Sequence, residues 1–519
     1  MHDAYETFLY DNFPFEDTHP DWLGFVGHLF GLAPAPATAC RMLEIGCGLG
    51  GNLIGIASLL PDSEFVGIDL AAAQIERGRA DVAALGLKNV RLEAMDVRDL
   101  PDDVGPFDYI ACHGVFSWVG DEVKAAILDA VARHLAPNGV AYISFNTKPG
   151  WFARGMIRDM ARRVVKPGPP PQMAADARRF FSFLREHAPK HHRLSRWLSD
   201  ELAMFDQLSD RYIYFEYLVE ENHPVYFDEF VAMLAPRGLG YLGDAELGTM
   251  LPERFGAAAA EAVHAWAEDQ LEVEQLSDYL GGRYFRRALI CRGDAPVDRQ
   301  ISGRRLRRCW LTSWFTPNVD AHEVPLADGV EAAFTGSDGY VLSTPDAVLK
   351  AALLALHAVQ PASLTTEALV FAVARRLGVT ADRGLYDKVA DLCLELLTHG
   401  RLVAGRWPRP VAHQIPERPL AAPMARMQCA RAECDFQVYS LRHESLAIDK
   451  LDRAVLLAMD GTRDRDGVVA EVEAAIARGD LSLTYDDQPL TQGPLLGELV
   501  DVKLRDLVRR ALVVAPDAG

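Results

Sequence analysis

Residues 42–52 read MLEIGCGLGGN, an apolar segment that ends near an acid and runs into a glycine-rich turn. The apolar residues predict a buried strand, and the glycines predict a turn whose backbone can pass close to a bound molecule. The helix expected next would present free backbone amides and a positive dipole end to that molecule. This order of strand, turn and helix predicts an α/β fold with a ligand site at the turn.

Strand and helix patterns alternate from this point to residue 146. Such alternation builds a parallel sheet that helices cover on both faces. Two later segments, 239–243 and RYFRRALICR (283–292), are predicted to finish the sheet, whereas a full dinucleotide fold would start a second βαβαβ half. The five earlier candidate strands are 41–45, 64–69, 89–94, 107–112 and 139–145.

The remainder of the chain has a mostly helical pattern in place of the strand–helix alternation. WFARGMIRDMARRVV followed by KPGPPPQ predicts a helical insertion, because the proline-rich run cannot continue a helix. A single helix is expected at about 257–280. Beyond residue 295, three helices and a strand are followed by a similar order near the C-terminus, with WPRPVAHQIPERPLAAP between them. This mostly α region is predicted to form two winged-helix-like units.

Composition restricts the classes of partner. A formal net charge of −20 argues against a nucleic acid bound over a broad surface. No window holds the roughly 18 uncharged apolar residues of a membrane span, so no membrane insertion is expected. The eight cysteines form no C-x-x-C pair, which predicts no metal site and reduced thiols in a bacterial cytoplasm.

The glycine-rich turn has two interpretations. As G-x-G-x-x-G on Gly46, Gly48 and Gly51, it fits a nicotinamide or flavin dinucleotide. As E-x-G-x-G-x-G on Glu44, Gly46, Gly48 and Gly50, it fits S-adenosylmethionine. Glu44 favours the second interpretation, because a carboxylate attracts the ammonium of the methionine part and repels a pyrophosphate.

Two further acids follow the next strands. Asp69 ends EFVGIDL and suits ribose hydroxyls under either interpretation. Asp96 ends the third strand, where it could accept from an adenine amino group while Val97 packs on the ring. Together with the order of the last strands, these residues favour S-adenosylmethionine over a dinucleotide.

Over nearly its whole length the chain resembles bacterial class I methyltransferases that carry a methyltransferase regulatory domain. That family includes protein-lysine methyltransferases that modify an outer-membrane protein. FPFEDTHPDWL (13–23), with Tyr5 and Tyr10, resembles the N-terminal lid of the family, although Leu9 and Asp17 differ from its usual residues. The other matching stretches are MLEIGCGLGGNL, HGVFSWV (113–119), SFNTKPGWFARGMIRDM (144–160), FEYLVEENHPVYFDEFVAMLAPRGLGYLGDA (with Phe215 where a histidine is common), RYFRRALI and LRHESLAIDKLDRAVLLAMDGTRDRD.

The pattern of elements, together with the resemblance, predicts a Rossmann-like methyltransferase sheet and five segments. These are a methyltransferase domain with its lid (1–154), a helical insertion (155–214), a regulatory segment that completes the sheet (215–293), a winged-helix-like middle domain (294–412) and a winged-helix-like C-terminal domain (413–519). The predicted donor-binding residues are Tyr10, His19, Glu44, Gly46, Cys47, Gly48, Asn52, Asp69, Leu70, Asp96, Val97 and His113, with His19 helping the lid to close.

The methyl acceptor is expected beyond the ends of the fourth and fifth strands. Phe116, Trp118 and Trp151 could form an aromatic wall that attracts a sulfonium or an alkylated ammonium. His113 is a candidate general base, a contact to the donor, or a core histidine. The Asn146 carbonyl could orient an N–H of the acceptor amine.

Three functions remain open at this point. The first is N-methylation of lysine in a protein acceptor, which the length beyond residue 295 favours because a metabolite needs no such surface. The second is methylation of a small molecule in a natural-product or envelope pathway. The third is a non-catalytic scaffold that binds the donor. Resemblance alone suggests a homodimer, and removal of residues 295–519 is expected to leave donor affinity nearly intact.

Overall fold

The structure is a computed structural model that describes residues 13–189, 191–431, 436–485 and 488–516 of the 519-residue chain. Its centre is a seven-stranded sheet. The strands are β1 (Arg41–Ile45), β2 (Glu64–Asp69), β3 (Val90–Ala94), β4 (Phe107–Cys112), β5 (Leu135–Asn146), β6 (Leu239–Asp244) and β7 (Phe285–Arg292). Their spatial order is β3-β2-β1-β4-β5-β7-β6. The first five strands are parallel, and β7 runs antiparallel to both of its neighbours.

Helices cover both faces of the sheet. Successive residues of β1 belong to different apolar cores, because side chains alternate between the faces of a strand. Met42 packs with Leu53 and Ile75 on one face, whereas Leu43 packs with Ile127 on the other. The helices of this part are α1 (Pro20–Leu29), α2 (Gly51–Ala57), α3 (Ala72–Ala84), α4 (Asp121–His134), α5 (Gly150–Val164), α6 (Pro170–His187), α7 (Arg193–Leu202), α8 (Asp210–Tyr217), α9 (Phe227–Ala232), α10 (Ala257–Trp266) and α11 (Gln270–Gly281).

Helices α5 to α8 form the predicted helical insertion. They enclose an apolar cluster of their own that includes Ile157, Phe181 and Ile213. The insertion begins directly after β5, at the carboxyl end of the parallel strands, where α/β proteins bind ligands. It therefore stands beside the loops that follow β1, β2 and β4.

The middle part of the chain packs directly on the sheet domain. Its helices are α12 (Ala347–His357), α13 (Thr366–Leu377) and α14 (Arg383–Thr398), and its strands are β8 (Trp310–Thr312), β9 (Thr316–Pro317), β10 (Ala332–Thr335), β11 (Val341–Thr344), β12 (Leu364–Thr365) and β13 (Val403–Gly405). One apolar cluster runs from Leu23 and Met42 into Leu311 and Leu353. The Arg406 N–H donates to Asp21 Oδ1 of α1 at 2.7 Å, which adds a polar tie between the two parts.

The C-terminal part has a separate apolar core, which includes Val438, Val455, Val472 and Leu504. Its helices are α15 (Pro423–Ala430), α16 (Lys450–Ala458), α17 (Arg465–Arg478) and α18 (Pro494–Arg509), and its strands are β14 (Gln437–Tyr439), β15 (Ser445–Ala447), β16 (Thr484–Tyr485) and β17 (Gln488–Pro489). The β14–β15 hairpin and helix α15 lie against the sheet domain. Arg431 Nη2 pairs with Asp81 of α3 at 2.5 Å across this contact.

The predicted Rossmann-like α/β sheet is confirmed, with small shifts of boundaries. β5 begins at Leu135 rather than at residue 139. The single helix expected at 257–280 is wrong, since the structure has α10 and α11 in its place. Asp269 accounts for the break, because its side chain accepts from the Glu272 N–H and begins a new helix. None of the helices in the described ranges is long and apolar enough to cross a membrane.

Candidate functional site

A cavity of about 670 Å³ lies at the carboxyl ends of the parallel strands. The glycine-rich turn after β1 forms its floor. Gly46, Gly48 and Gly50 have φ values of 76°, 54° and 73°, a region that residues with a side chain rarely adopt. A Cβ on Gly46 would lie 2.3 Å from Val115 Cγ2, so the turn also needs glycine for space.

Asp69 holds this turn against the end of β2. Its Oδ2 accepts from the Gly48 N–H and its Oδ1 accepts from the Ala71 N–H, each at 2.8 Å. The carboxylate thus joins the loops that follow β1 and β2. Both loops line the cavity, and so do the predicted residues Cys47 and Leu70.

Glu44 places a buried carboxylate at the cavity wall. Its Oε1 accepts from Asn52 Nδ2 at 2.8 Å. Among the described residues, no hydrogen-bond donor contacts its other oxygen, Oε2. Burial raises the pKa of Glu44 to about 8, and the nearby Asp69 charge adds to this while the Asn52 bond opposes it. A cation bound here would satisfy Oε2.

Asp96 and Val97 line the cavity beyond Asp69. The Asp96 carboxylate is already paired with Arg98. Its Oδ1 accepts from the Arg98 backbone N–H at 2.9 Å and from Nε at 3.0 Å, and its Oδ2 accepts from Nη2 at 2.6 Å. These bonds to Arg98 lower the pKa of Asp96. The carboxylate is therefore ionised at neutral pH, and its contact to an adenine amino group stays a prediction.

His113 lines the cavity on the loop after β4. Its ring stacks on Phe15 at 3.7 Å between centroids, and its Nδ1 lies 2.8 Å from Tyr142 Oη. Burial, together with the positive charge of Arg287, lowers the pKa of His113 to about 3. A base with so low a pKa takes a proton poorly at neutral pH, which argues against the general-base interpretation.

The opposite end of the cavity is aromatic. The Trp118 and Trp151 rings meet edge to face at 6.1 Å, and both line the cavity. Asn146, the last residue of β5, lines it as well. Within the part of the chain that the structure describes, Asn146 Nδ2 and Trp151 Nε1 are buried without a hydrogen-bond partner.

Comparisons with known proteins agree with this geometry. Family models match three segments, described as a methyltransferase domain (43–141), a predicted methyltransferase regulatory domain (209–292) and a PKMT C-terminal winged helix domain (417–512). The solved structure of PKMT2 from Rickettsia typhi in complex with AdoHcy matches with a TM-score of 0.88 and 28% identity, covering 98% of this chain and 100% of that one.

Two proteins of Rickettsia prowazekii are also similar. RP789 is 28% identical over 94% of this chain and 89% of its own length, and RP028 is 37% identical over 44% of this chain and 92% of its own length. The chain belongs to the class I methyltransferases that carry a methyltransferase regulatory domain.

It is an S-adenosylmethionine-dependent methyltransferase.

This assignment decides between the two interpretations of the glycine-rich turn. Glu44 Oε2, which has no hydrogen-bond partner among the described residues, fits the ammonium of the methionine part, and a pyrophosphate would meet that carboxylate unfavourably. The regulatory segment supplies β6 and β7, so it completes the catalytic sheet of the methyltransferase rather than forming a separate body.

Three predicted site residues of the methyltransferase need comment. Phe116 is fully buried against Phe145 and Phe230 and does not line the cavity, so its predicted place in the acceptor wall is wrong. His19 is buried beside Trp407 and accepts from the Asp21 N–H, so it caps helix α1 and does not contact the cavity. Tyr10 lies outside the described residues.

Several cavity residues were missed by the sequence analysis. Phe15 of the N-terminal segment covers His113, which supports the predicted lid. Glu216 and Tyr212 stand four residues apart on α8, a spacing that places both on one helix face and that could have been noticed. The missed lining residues include Phe13, Phe15, Arg154, Tyr212, Phe215, Glu216, Tyr284 and Phe285.

Outside the cavity, Asp320, His322 and Glu323 bring three potential metal-ligand atoms within 4.8 Å of one another. All three residues are exposed, and such acidic groups are common on protein surfaces.

Proposed function

We propose that this methyltransferase transfers methyl groups to the side-chain nitrogen of lysine residues in a protein acceptor. The observation that carries the proposal is the group of side chains at one end of the cavity. It combines indole rings, phenol rings and a carboxylate, from Trp118, Trp151, Tyr212, Tyr284 and Glu216. Aromatic faces attract an alkylated ammonium, and a carboxylate binds the amine and accepts its proton. Similarity to PKMT2 along 98% of the chain supports a protein acceptor.

In this proposal the donor lies at the other end of the same cavity. Glu44 Oε2 would accept from its ammonium, Asp69 would bind the ribose hydroxyls, and Asp96 with Val97 would hold the adenine. The Gly46–Gly48 backbone would lie against its methionine part. The donor supplies a methyl group on a positively charged sulfur, which leaves by in-line displacement when a nucleophile attacks.

The acceptor end favours a neutral amine. A lysine ammonium, with a reference pKa of about 10.4, must lose a proton before it can attack. Burial of the amine away from water and the charge of the Arg154 guanidinium, which lies 3.8 Å from the centroid of the Tyr284 ring, both disfavour the protonated form. Burial raises the pKa of Glu216 to about 7, against the opposing influence of Arg154 and Arg158.

In the proposed reaction the ammonium proton passes to the Glu216 carboxylate. The nitrogen lone pair then forms a bond to the methyl carbon, and the electrons of the carbon–sulfur bond move to sulfur. Asn146 would orient a remaining N–H of the amine. Positioning supplies much of the rate, and Phe13 and Phe15, which line the cavity, would help to exclude water from it.

The test uses isotopically labelled S-adenosylmethionine with bacterial outer-membrane protein and, separately, with extracted small metabolites. Label on lysine side chains supports the proposal. Label confined to metabolites would favour the small-molecule alternative, and donor binding without any transfer would favour the non-catalytic one.

Glu216→Gln is expected to lower kcat by about 10²-fold, since the loss of a general base has costs of that order. Affinity for S-adenosylhomocysteine should stay unchanged, because Glu216 does not face the donor end. Glu220→Gln is the matched control, as Glu220 is exposed on the segment directly after α8. A Glu216→Gln enzyme with the wild-type kcat would contradict this role.

A further inference from the structure

The turn of the β14–β15 hairpin in the C-terminal part packs tightly on α2, the helix that follows the glycine-rich turn. His443 lies at this turn and is only 2% exposed. A Cβ on Gly55 of α2 would lie 3.2 Å from His443 Cε1 and 3.4 Å from Tyr439 Cδ2. Glycine at this position of α2 therefore lets the hairpin approach the donor side of the cavity.

His443 hydrogen-bonds to the side chain that holds Glu44. His443 Nε2 lies 2.6 Å from Asn52 Oδ1. The orientation of the Asn52 amide is fixed at both ends, because the Phe15 N–H donates to Oδ1 at 2.9 Å and Nδ2 donates to Glu44 Oε1 at 2.8 Å. Since Oδ1 is an acceptor, His443 Nε2 must carry the proton.

The histidine is neutral in this position. Burial, assisted by the positive charge of Arg409, lowers the pKa of His443 to about 3. It therefore restrains the Asn52 amide without adding a positive charge near Glu44. Buried hydrogen bonds of this kind fix side-chain orientation, because each unmade bond would leave a desolvated polar atom.

We propose that His443 is a positioning residue for the methyl donor, acting through Asn52 to hold Glu44 in place for the ammonium of the donor. The C-terminal part thereby completes the donor site of a domain from which it is separated by more than one hundred residues of sequence. Only binding of the donor's amino-acid part should depend on the His443 contact, since Asp69 and Asp96, the predicted nucleoside contacts, lie beyond Glu44.

The test compares two ligands on full-length protein by calorimetry. S-adenosylhomocysteine carries the ammonium, whereas 5′-methylthioadenosine shares the nucleoside and sulfur but lacks the amino-acid part. His443→Ala is expected to weaken S-adenosylhomocysteine binding about five- to tenfold, as for the loss of a buried hydrogen bond. Binding of 5′-methylthioadenosine should be unchanged.

Arg431→Gln is the matched control, since it breaks the ion pair with Asp81 at the same contact without contacting Asn52. It should leave both affinities at the wild-type level. His443→Gln, whose amide can donate in place of the imidazole, should recover part of the affinity. In an Asn52→Ala background, His443→Ala should cause no further loss.

Three results would overturn the inference. The first is wild-type affinity of His443→Ala for S-adenosylhomocysteine. The second is an equal loss of affinity for both ligands, which would show that His443 supports the cavity as a whole and does not act through Glu44. The third is a fully additive loss of affinity in the double variant, which would have the same meaning. No acceptor is present in these measurements, so failure here would leave the lysine proposal untouched.

Discussion

At the scale of the residue, Glu44 is a buried carboxylate whose second oxygen is available to a ligand. Within the described part of the chain, one oxygen of this buried carboxylate has no hydrogen-bond partner, which costs free energy in the ligand-free protein. Burial therefore raises the pKa of Glu44 to about 8, and the ligand-free carboxyl keeps its proton below that pH. A ligand ammonium removes the cost, because it supplies both the counter-charge and the missing donor.

Glu44→Gln tests this reasoning. The variant should bind S-adenosylhomocysteine roughly 10- to 100-fold more weakly, as expected when a charge-assisted hydrogen bond of about 1.5–3 kcal/mol is lost. Glu64→Gln is the control, because Glu64 is exposed on β2 and pairs with Arg41 away from the cavity. Calorimetry that found equal affinities for wild type and Glu44→Gln would remove Glu44 from the donor site.

The same residue predicts a pH dependence. Below its pKa of about 8 the free Glu44 carboxyl is protonated, and it must lose that proton to pair with an ammonium. Affinity for S-adenosylhomocysteine should therefore rise as the pH increases from 6 to 7.5, by at most about tenfold per pH unit. The Glu44→Gln variant should show a flatter profile, and a wild-type slope in that variant would contradict the assignment.

At the scale of the element, the glycine-rich turn combines a backbone requirement with a spatial one. Gly46 and Gly86 both have positive φ, at 76° and 65°. A Cβ on Gly46 would lie 2.3 Å from Val115 Cγ2, whereas a Cβ on Gly86 would have no atom of the described residues within 4 Å. The two positions therefore separate backbone strain from crowding.

Gly46→Ala should abolish measurable donor binding and lower the free energy of unfolding by more than the cost of strain alone. Gly86→Ala should cost only about 1–2 kcal/mol, the price of a left-handed residue with a side chain, and should bind the donor normally. Thermal unfolding and calorimetry on both variants measure the difference. Equal effects of the two substitutions would mean that Val115 does not confine the turn.

Local patterns were enough to predict the sheet but not all of the site. Strands β1, β2 and β4 were predicted to the residue, since apolar runs bounded by turns are read locally. Phe116 was misplaced because both it and Trp118 belong to one short aromatic stretch, and only packing decides which ring faces the core. Glu216 and Tyr284 were missed because the fold brings them to the cavity from separate segments of the chain.

At the scale of the whole molecule, the middle part is not an appendage of the sheet domain. The two share one apolar cluster, and helix α1 is packed between them. His28 Nε2 lies 2.9 Å from the Arg305 carbonyl oxygen, and Asp21 accepts from the Arg406 N–H. The expectation that donor affinity stays nearly intact without residues 295–519 requires a sheet domain that is stable alone. This packing contradicts that requirement.

Two shortened chains distinguish these arrangements. Residues 1–412 keep all of the shared cluster except Met424 and Tyr439 and lose the separate core of the C-terminal part, so this chain should unfold cooperatively. It should also bind S-adenosylhomocysteine as weakly as His443→Ala, because both lack the bond to Asn52.

Residues 1–294 would expose apolar side chains such as Leu23 and Leu29, each worth about 1.5–3 kcal/mol when buried. Exposure of about five such residues cancels a typical stability of about 5–15 kcal/mol, so this chain should aggregate or unfold without a cooperative transition. Circular dichroism during heating separates the two chains, and a cooperative transition with tight donor binding in 1–294 would show that the sheet domain stands alone.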